Sequence, residues 1–94
     1  MTVNNFFDAT FCINLKRRPD RRAQAESEFL KHDIHVEWVP GVDGRDLTIP
    51  HMLSSDGLPV SPGDIGCCLS HAKAAKLAKI NDLKNYLVLE DDCV

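Results

Sequence analysis

Three clusters of residues in this 94-residue chain carry groups that could do chemistry. Glu90-Asp91-Asp92 follows directly on the apolar run Tyr86-Leu87-Val88-Leu89. Carboxylates delivered by a rigid strand onto a loop can hold a hard divalent cation such as Mg²⁺ or Mn²⁺, which would in turn bridge phosphates. The bland counterpart is a solvated acidic C-terminus, although three like charges at the mouth of a buried strand repel unless a cation or basic partner relieves them. Asn14-Leu15-Lys16-Arg17-Arg18-Pro19-Asp20-Arg21-Arg22 follows another apolar run and leads into a helix start. Guanidinium groups there can clamp a phosphate bidentately, and free backbone N–H groups at the helix N-terminus favour anions. A solvated basic helix start, or a general polyanion patch, is the alternative. Gly41-Val42-Asp43-Gly44-Arg45-Asp46 is the third cluster. An acid at that place after a strand can accept hydrogen bonds from a ribose hydroxyl, but Asp-Gly is also common in plain turns.

The remaining polar candidates are weaker. Ser70-His71 lies inside a long helical pattern, where a single histidine is more often structural than catalytic. His32, His35 and His51 have no metal-ligand spacing with one another or with the cysteines. Cys12, Cys67, Cys68 and Cys93 fit neither a zinc motif nor a secreted disulfide framework, so they read as reduced, most of them as small core hydrophobes.

The elements that must position these groups follow from periodicity. Ala9-Thr10-Phe11-Cys12-Ile13-Asn14-Leu15 reads as a strand buried on both faces. Pro19 opens a helix that runs to Lys31 and turns Ala23, Phe29 and Leu30 inward. His35-Val36-Glu37-Trp38-Val39 alternates as a second strand, stopped by Pro40-Gly41. Residues 42–61 form a long loop, with a short helix near His51. Ser61-Pro62-Gly63-Asp64 is a capping-box variant opening the longest helix, in which Ile65, Leu69, Ala72, Ala75, Ile80 and Leu83 face inward while Lys73, Lys76, Lys79 and Asp82 face out. Residues 86–89 make a third buried strand. The order gives an α/β fold with a mostly parallel sheet of about three strands flanked by helices and right-handed crossovers, and its ligands belong at the carboxyl ends of the strands.

Composition bounds the rest. With 44% apolar and 27% charged residues the chain is an ordinary globular sequence, one domain at most, burying only about 60–65% of its unfolded surface. A net charge of -3 argues against a nucleic-acid partner, even though Lys16, Arg17, Arg18, Arg21 and Arg22 are five of the eleven basic residues. There is no membrane-length apolar stretch and no signal peptide at the N-terminus, which makes the cytoplasm the expected compartment.

In order along the chain, Cys12-Ile13-Asn14-Leu15 with Arg17, Pro19, Asp20 and Arg21-Arg22, then Gly41-Val42-Asp43-Gly44-Arg45, then Gly63-Asp64-Ile65-Gly66-Cys67 with Leu69-Ser70-His71, and finally Leu87-Val88-Leu89-Glu90-Asp91-Asp92, resemble the N-terminal half of glycosyltransferase family 25. That family includes bacterial lipopolysaccharide and lipooligosaccharide galactosyltransferases and the related collagen galactosyltransferases. The resemblance implies a truncated GT-A, Rossmann-like nucleotide-sugar fold, with residues 1–94 as a single partial domain that binds the donor nucleotide. It implies a UDP-sugar donor, most often UDP-galactose, a glycan or lipid-linked acceptor, and Mn²⁺ or Mg²⁺. By the same resemblance Asp92 is a metal ligand with Glu90, Asp91 lies near the ribose or metal shell, and Asn14, Leu15, Arg17, Arg22 and Asp43 line the uridine pocket. Ser70 and His71 would lie on the floor of the donor site. Asp64 stands where the family usually has Glu. The segments that would bind the acceptor and supply a catalytic base have no counterpart here, so no base is assigned and the chain alone is expected to transfer weakly or not at all. An uncovered sheet edge suggests a homo-oligomer, and a lipid-linked acceptor would hold the protein at the inner membrane face. A non-catalytic nucleotide-binding or assembly module derived from the same fold is the alternative reading, and a polyanion binder using Lys16 to Arg22 is a third.

Overall fold

A computed structural model describes residues 3–46 and 61–91. In order they form α1 (Val3–Phe6), β1 (Ala9–Asn14), α2 (Pro19–Lys31), β2 (Glu37–Pro40), a 3-10 turn (Gly44–Asp46), α3 (Pro62–Ile80) and β3 (Tyr86–Glu90). The three strands make one sheet in the order β2-β1-β3, with both pairings parallel. This is the expected α/β architecture. The helix proposed near His51 falls outside the described residues.

β1 lies in the middle because its residues tolerate burial on both faces. Phe11 and Ile13 turn to one side, where with Val39 they meet Ala74 and Ala78 of α3. Cys12 turns to the other, against Ala25 and Phe29 of α2. The flanking strands are less buried, and β3, read from sequence as a buried strand, is half-exposed along most of its length. β2 starts two residues later than its alternation suggested and includes Pro40 as its last residue, after which the Gly41 amide continues the ladder by donating to the Asn14 carbonyl at 2.8 Å.

Both large helices start as read. Pro19 occupies the first turn of α2, and Ser61 caps α3, its hydroxyl accepting from the Asp64 amide at 3.1 Å. Their inward faces differ from the expectation. On α2 the buried residues are Ala25 and Phe29, while Ala23 is exposed and Leu30 is 80% exposed. On α3 the buried row is Gly66, Ser70, Ala74 and Ala78, whereas Leu69 and Ile80 are 44% and 68% exposed and Ala72 and Ala75 face solvent. The row at spacing four carries no side chain longer than serine, so α3 can approach the sheet more closely than leucines would allow. Weighting the larger apolar residues picked the wrong stripe. Ile65 and Leu77 are half-buried at its border, whereas Asp82 and Leu83, expected on the helix, lie beyond its end at Ile80, Leu83 half-buried against the same core.

Close approach is most severe where α3 passes the loop after β2. A Cβ on Gly66 would sit 2.6 Å from the Val42 carbonyl oxygen and 2.8 Å from the Gly44 amide nitrogen. Serine reinforces the same contact. The Ser70 hydroxyl accepts from the Val42 amide at 2.8 Å and donates to the Gly66 carbonyl at 2.7 Å. Helix and loop are thereby fixed together at the carboxyl end of the sheet.

Candidate functional site

A cleft of about 220 Å³ opens at that carboxyl end, lined by Ile13 and Leu15 from β1 and its extension, Arg17 and Arg21, the loop Val42 to Arg45, Gly63, Cys67 and Ser70 of α3, and Glu90 and Asp91. Its position obeys the rule that ligands of open α/β sheets bind outside the strand ends. Three guanidinium groups and three carboxylates share it, and each carboxylate has a separate set of partners.

Asp91, whose side chain is only 11% exposed, accepts from Asn14 Nδ2 at 2.8 Å and faces Arg21, with 3.8 Å between the charged atoms. Asn14 is itself buried and donates also to the Arg18 carbonyl at 3.1 Å, so one amide ties the end of β1, the start of α2 and the acid after β3 together. Asp43 accepts from Arg17 Nε at 2.5 Å and from the Arg45 backbone amide at 3.0 Å. The Arg45 amide, followed by the Arg17 guanidinium, holds the Asp43 carboxyl below the usual carboxylate range. Glu90 accepts from the Cys67 thiol, 3.2 Å from Sγ, and lies 3.3 Å from His71 Nε2. These two contacts lower the Glu90 pKa, and the same carboxylate pushes the Cys67 thiol up.

Of the sequence candidates, Leu15, Arg17, Asp43, Ser70, Glu90 and Asp91 therefore line the cleft, and Asn14 supports it through Asp91. Ser70 is there as a fastener, its hydroxyl engaged by the backbone at both its donor and its acceptor side. His71 reaches Glu90 without lining the cleft. Arg22 is elsewhere: its guanidinium lies 4.6 Å from the centre of the Trp38 ring and pairs with Glu26 at 3.2 Å. Successive helix residues point about 100° apart, so α2 aims Arg21 at the cleft and turns Arg22 toward β2. Arg22, expected in the uridine pocket, therefore does not line the cleft, and Arg21 does.

Glu90 and Asp91 also part company. Strand side chains alternate, and Glu90 shares the α3 face with Ile13, its register partner, while Asp91 turns to Asn14 and Arg21. Asp92, expected as a metal ligand, lies outside the described residues. Cys67 corrects another expectation. Of the described cysteines only Cys12 is a core residue; Cys67 and Cys68 are exposed. The signal for a Cys67–His71 pair was present as spacing four on a helix, which puts both side chains on one face.

Among the described residues no helix is long and apolar enough to cross a membrane. No solved structure matches the chain. Sequence comparison is more informative. The chain is 38% identical to a glycosyltransferase 25 family member of Drosophila melanogaster over 90% of its length, and 35% identical to human procollagen galactosyltransferase 2 over 92%. It is 36% identical to an inactive glycosyltransferase 25 family member 3 of mouse, also over 92%. The aligned part is only 16% of the Drosophila and human proteins and 17% of the mouse protein, so the chain spans about a sixth of the length of these relatives. The model of glycosyltransferase family 25, described as an LPS biosynthesis protein family, matches residues 7–94, from just ahead of β1 through the acidic motif that follows β3. With every element of the sheet and every residue of the cleft inside that match, the chain belongs to glycosyltransferase family 25.

Proposed function

We propose that the cleft binds the diphosphate and ribose of a nucleotide-sugar donor, UDP-galactose by preference, and that the chain contributes this donor site to a galactosyltransferase acting on a glycan or lipid-linked acceptor in surface-polysaccharide synthesis. The observation that carries the reading is the placement of Arg17 and Arg21 at the carboxyl end of a parallel sheet, Arg17 hydrogen-bonded to Asp43 and Arg21 3.8 Å from Asp91. The Arg17 guanidinium, held on one edge by Asp43, keeps other N–H groups for a second anion, and a fixed cation need not reorganise when charge develops on a departing diphosphate. Asp43, kept ionised by the Arg45 amide and Arg17, is suited to accept from a ribose hydroxyl. The cleft volume of about 220 Å³ is below the roughly 300–1,000 Å³ of complete small-molecule sites, and suits part of a nucleotide sugar.

The Mn²⁺ or Mg²⁺ expected from the acidic motif fits the described residues poorly. Such cations need several oxygen ligands converging on one point. Glu90 and Asp91 face opposite sides of the sheet, and Glu90 has sulfur and nitrogen neighbours. A hard cation would thus rest on Asp92 with Asp91, and not on Glu90. The cytoplasmic side of a membrane is the proposed compartment, and a second copy covering the free edge of β2 or β3 is the proposed homo-oligomer.

Calorimetric titration of UDP and UDP-galactose into the chain, with and without Mn²⁺, tests the reading. Binding that is lost in Arg21→Ala and becomes cation-independent in Asp92→Ala supports it. Absence of binding in the unaltered chain would overturn it in favour of a non-catalytic assembly module. That second reading has its own support in the inactive mouse relative, whose 36% identity matches that of the other relatives.

A further inference from the structure

On the α3 side of the sheet, Cys67 Sγ, His71 Nε2 and Glu90 Oε1 lie within 4.8 Å of one another. We propose that these three residues form a zinc site, separate from any hard-cation site at Asp92, with its fourth position open to water. The proposal does not rest on the donor reading, since the ligands would bind zinc whether or not the cleft takes a nucleotide.

The backbone places the three groups without any loop. Cys67 and His71 are one turn apart on α3, and that helix is locked at Gly66 and Ser70 against the loop after β2. Glu90 arrives from β3 in register with Ile13, on the sheet face that α3 covers. Zinc bonds of about 2.0–2.3 Å in a tetrahedron imply ligand-to-ligand edges of roughly 3.3–3.5 Å. One edge already has that length, 3.3 Å from Nε2 to Oε1, and a second, 3.2 Å from Sγ to Oε1, is a few tenths of an ångström short of it. The third, within 4.8 Å, closes by a swing of the imidazole, which is 45% exposed. The same exposure gives the ion a path in.

Donor chemistry selects the metal. One thiolate, one imidazole and one carboxylate suit Zn²⁺, whereas Mg²⁺ and Ca²⁺ require oxygen ligands. Without metal, two hydrogens hold the cluster together, one from the thiol and one from the imidazole, both directed at Glu90. Zinc would replace both hydrogens: Cys67 binds as thiolate and releases its proton to solvent, while the imidazole binds through Nε2 as the other tautomer, its hydrogen moving from Nε2 to Nδ1.

The test is titration of the reduced full chain with Co²⁺ alone, followed by displacement with Zn²⁺. A thiolate-to-cobalt charge-transfer band, lost on adding one Zn²⁺ per chain, is expected. Cys67→Ser should abolish the band. His71→Ala and Glu90→Gln should each weaken Zn²⁺ binding by more than the roughly 10–100-fold that losing an outer partner costs. Cys68→Ser and Cys93→Ser should leave the band in place. A band that survives Cys67→Ser, or disappears in Cys68→Ser or Cys93→Ser, would overturn the assignment, as would absence of any band or competition by Mg²⁺ at concentrations comparable to Zn²⁺. Far-ultraviolet circular dichroism of each variant, expected to match the unaltered chain because all three residues are exposed or half-exposed, separates loss of a ligand from loss of fold.

Discussion

Replacing Gly66 by alanine sets two opposing effects against each other at one position. Alanine is favoured over glycine inside a helix by about 1 kcal/mol. Against that, the new methyl would lie 2.6 Å from the Val42 oxygen, 2.8 Å from the Gly44 nitrogen and 3.3 Å from the Gly44 Cα. All three are backbone atoms of a loop tied to the same helix through Ser70, so no side chain can swing aside. Overpacking of this kind typically costs about 1–3 kcal/mol, and contacts with unyielding backbone belong at the upper end of that range. The net expectation is destabilisation by about 1–2 kcal/mol, or roughly 5–15 °C in Tm for a chain of this size. Gly63, three residues earlier in the same helix, is the internal control. Its added methyl would meet only the Ser61 hydroxyl at 3.8 Å, ordinary contact, so Gly63→Ala should be neutral or stabilising by up to about 1 kcal/mol. Urea denaturation followed by circular dichroism, with both variants fitted to a common slope, measures the difference directly. If Gly66→Ala proves as stable as Gly63→Ala, α3 does not press on the loop that carries Asp43, and the account of how the cleft is fixed fails.

Three further outcomes follow from the same geometry. Ser70→Ala leaves the Val42 amide without its acceptor and should cost about 1–3 kcal/mol in the same denaturation assay, while a cost near zero would mean the hydroxyl is not the fastener. Arg21→Ala should weaken UDP binding severalfold, whereas Arg22→Ala should lose only about 0.5–1 kcal/mol of stability from its contact with Trp38 and keep UDP affinity; the reverse pattern in calorimetry would reinstate Arg22 at the site. The Asp43 carboxyl should titrate below the ordinary value of about 3.9 in carbon-detected NMR. Because its folded pKa is depressed, its contribution to stability is complete above about pH 3.9 and disappears as pH falls through the folded value. Arg17→Gln should raise that midpoint only part of the way, since the Arg45 amide is the larger cause, and full return to the ordinary value would assign the effect to Arg17 instead.

What could be read from the sequence was whatever short-range chemistry decides. Ser61-Pro62 fixed the start of α3 because a cap and a proline act within one turn, and the apolar run through Phe11 and Ile13 marked the central strand because only a central strand is buried on both sides. The inward face of α3 was not legible in that way. Leu69 and Ile80 look more like core residues than Gly66 and Ser70 do, and only the distance between helix and sheet makes the small residues the right ones. Choosing Arg21 over Arg22 likewise requires the rotation of α2 relative to β3, which no local pattern contains.

The acidic motif shows a different kind of miss, because the correct answer was available. Once the third strand is continued to Glu90, a period of two already sends that carboxylate to the face of Ile13 and α3, and the chain turns at Asp91 toward Asn14 and Arg21. Reading the three acids as one cluster treated neighbours in sequence as neighbours in space, which holds for a loop and fails for a strand. The motif is divided between two chemistries: Asp91 joins Asn14 and Arg21 on one side of the cleft, and Glu90 joins Cys67 and His71 on its α3 side. A sulfur, a nitrogen and an oxygen ligand meet there because helix spacing four and strand spacing two bring them to one face. The carboxylate common to the motif and the cluster is thus placed by β3 for a partner on α3, and substitutions of Glu90 and Asp91 should separate on zinc: both residues line the cleft, but only loss of Glu90 should weaken zinc binding.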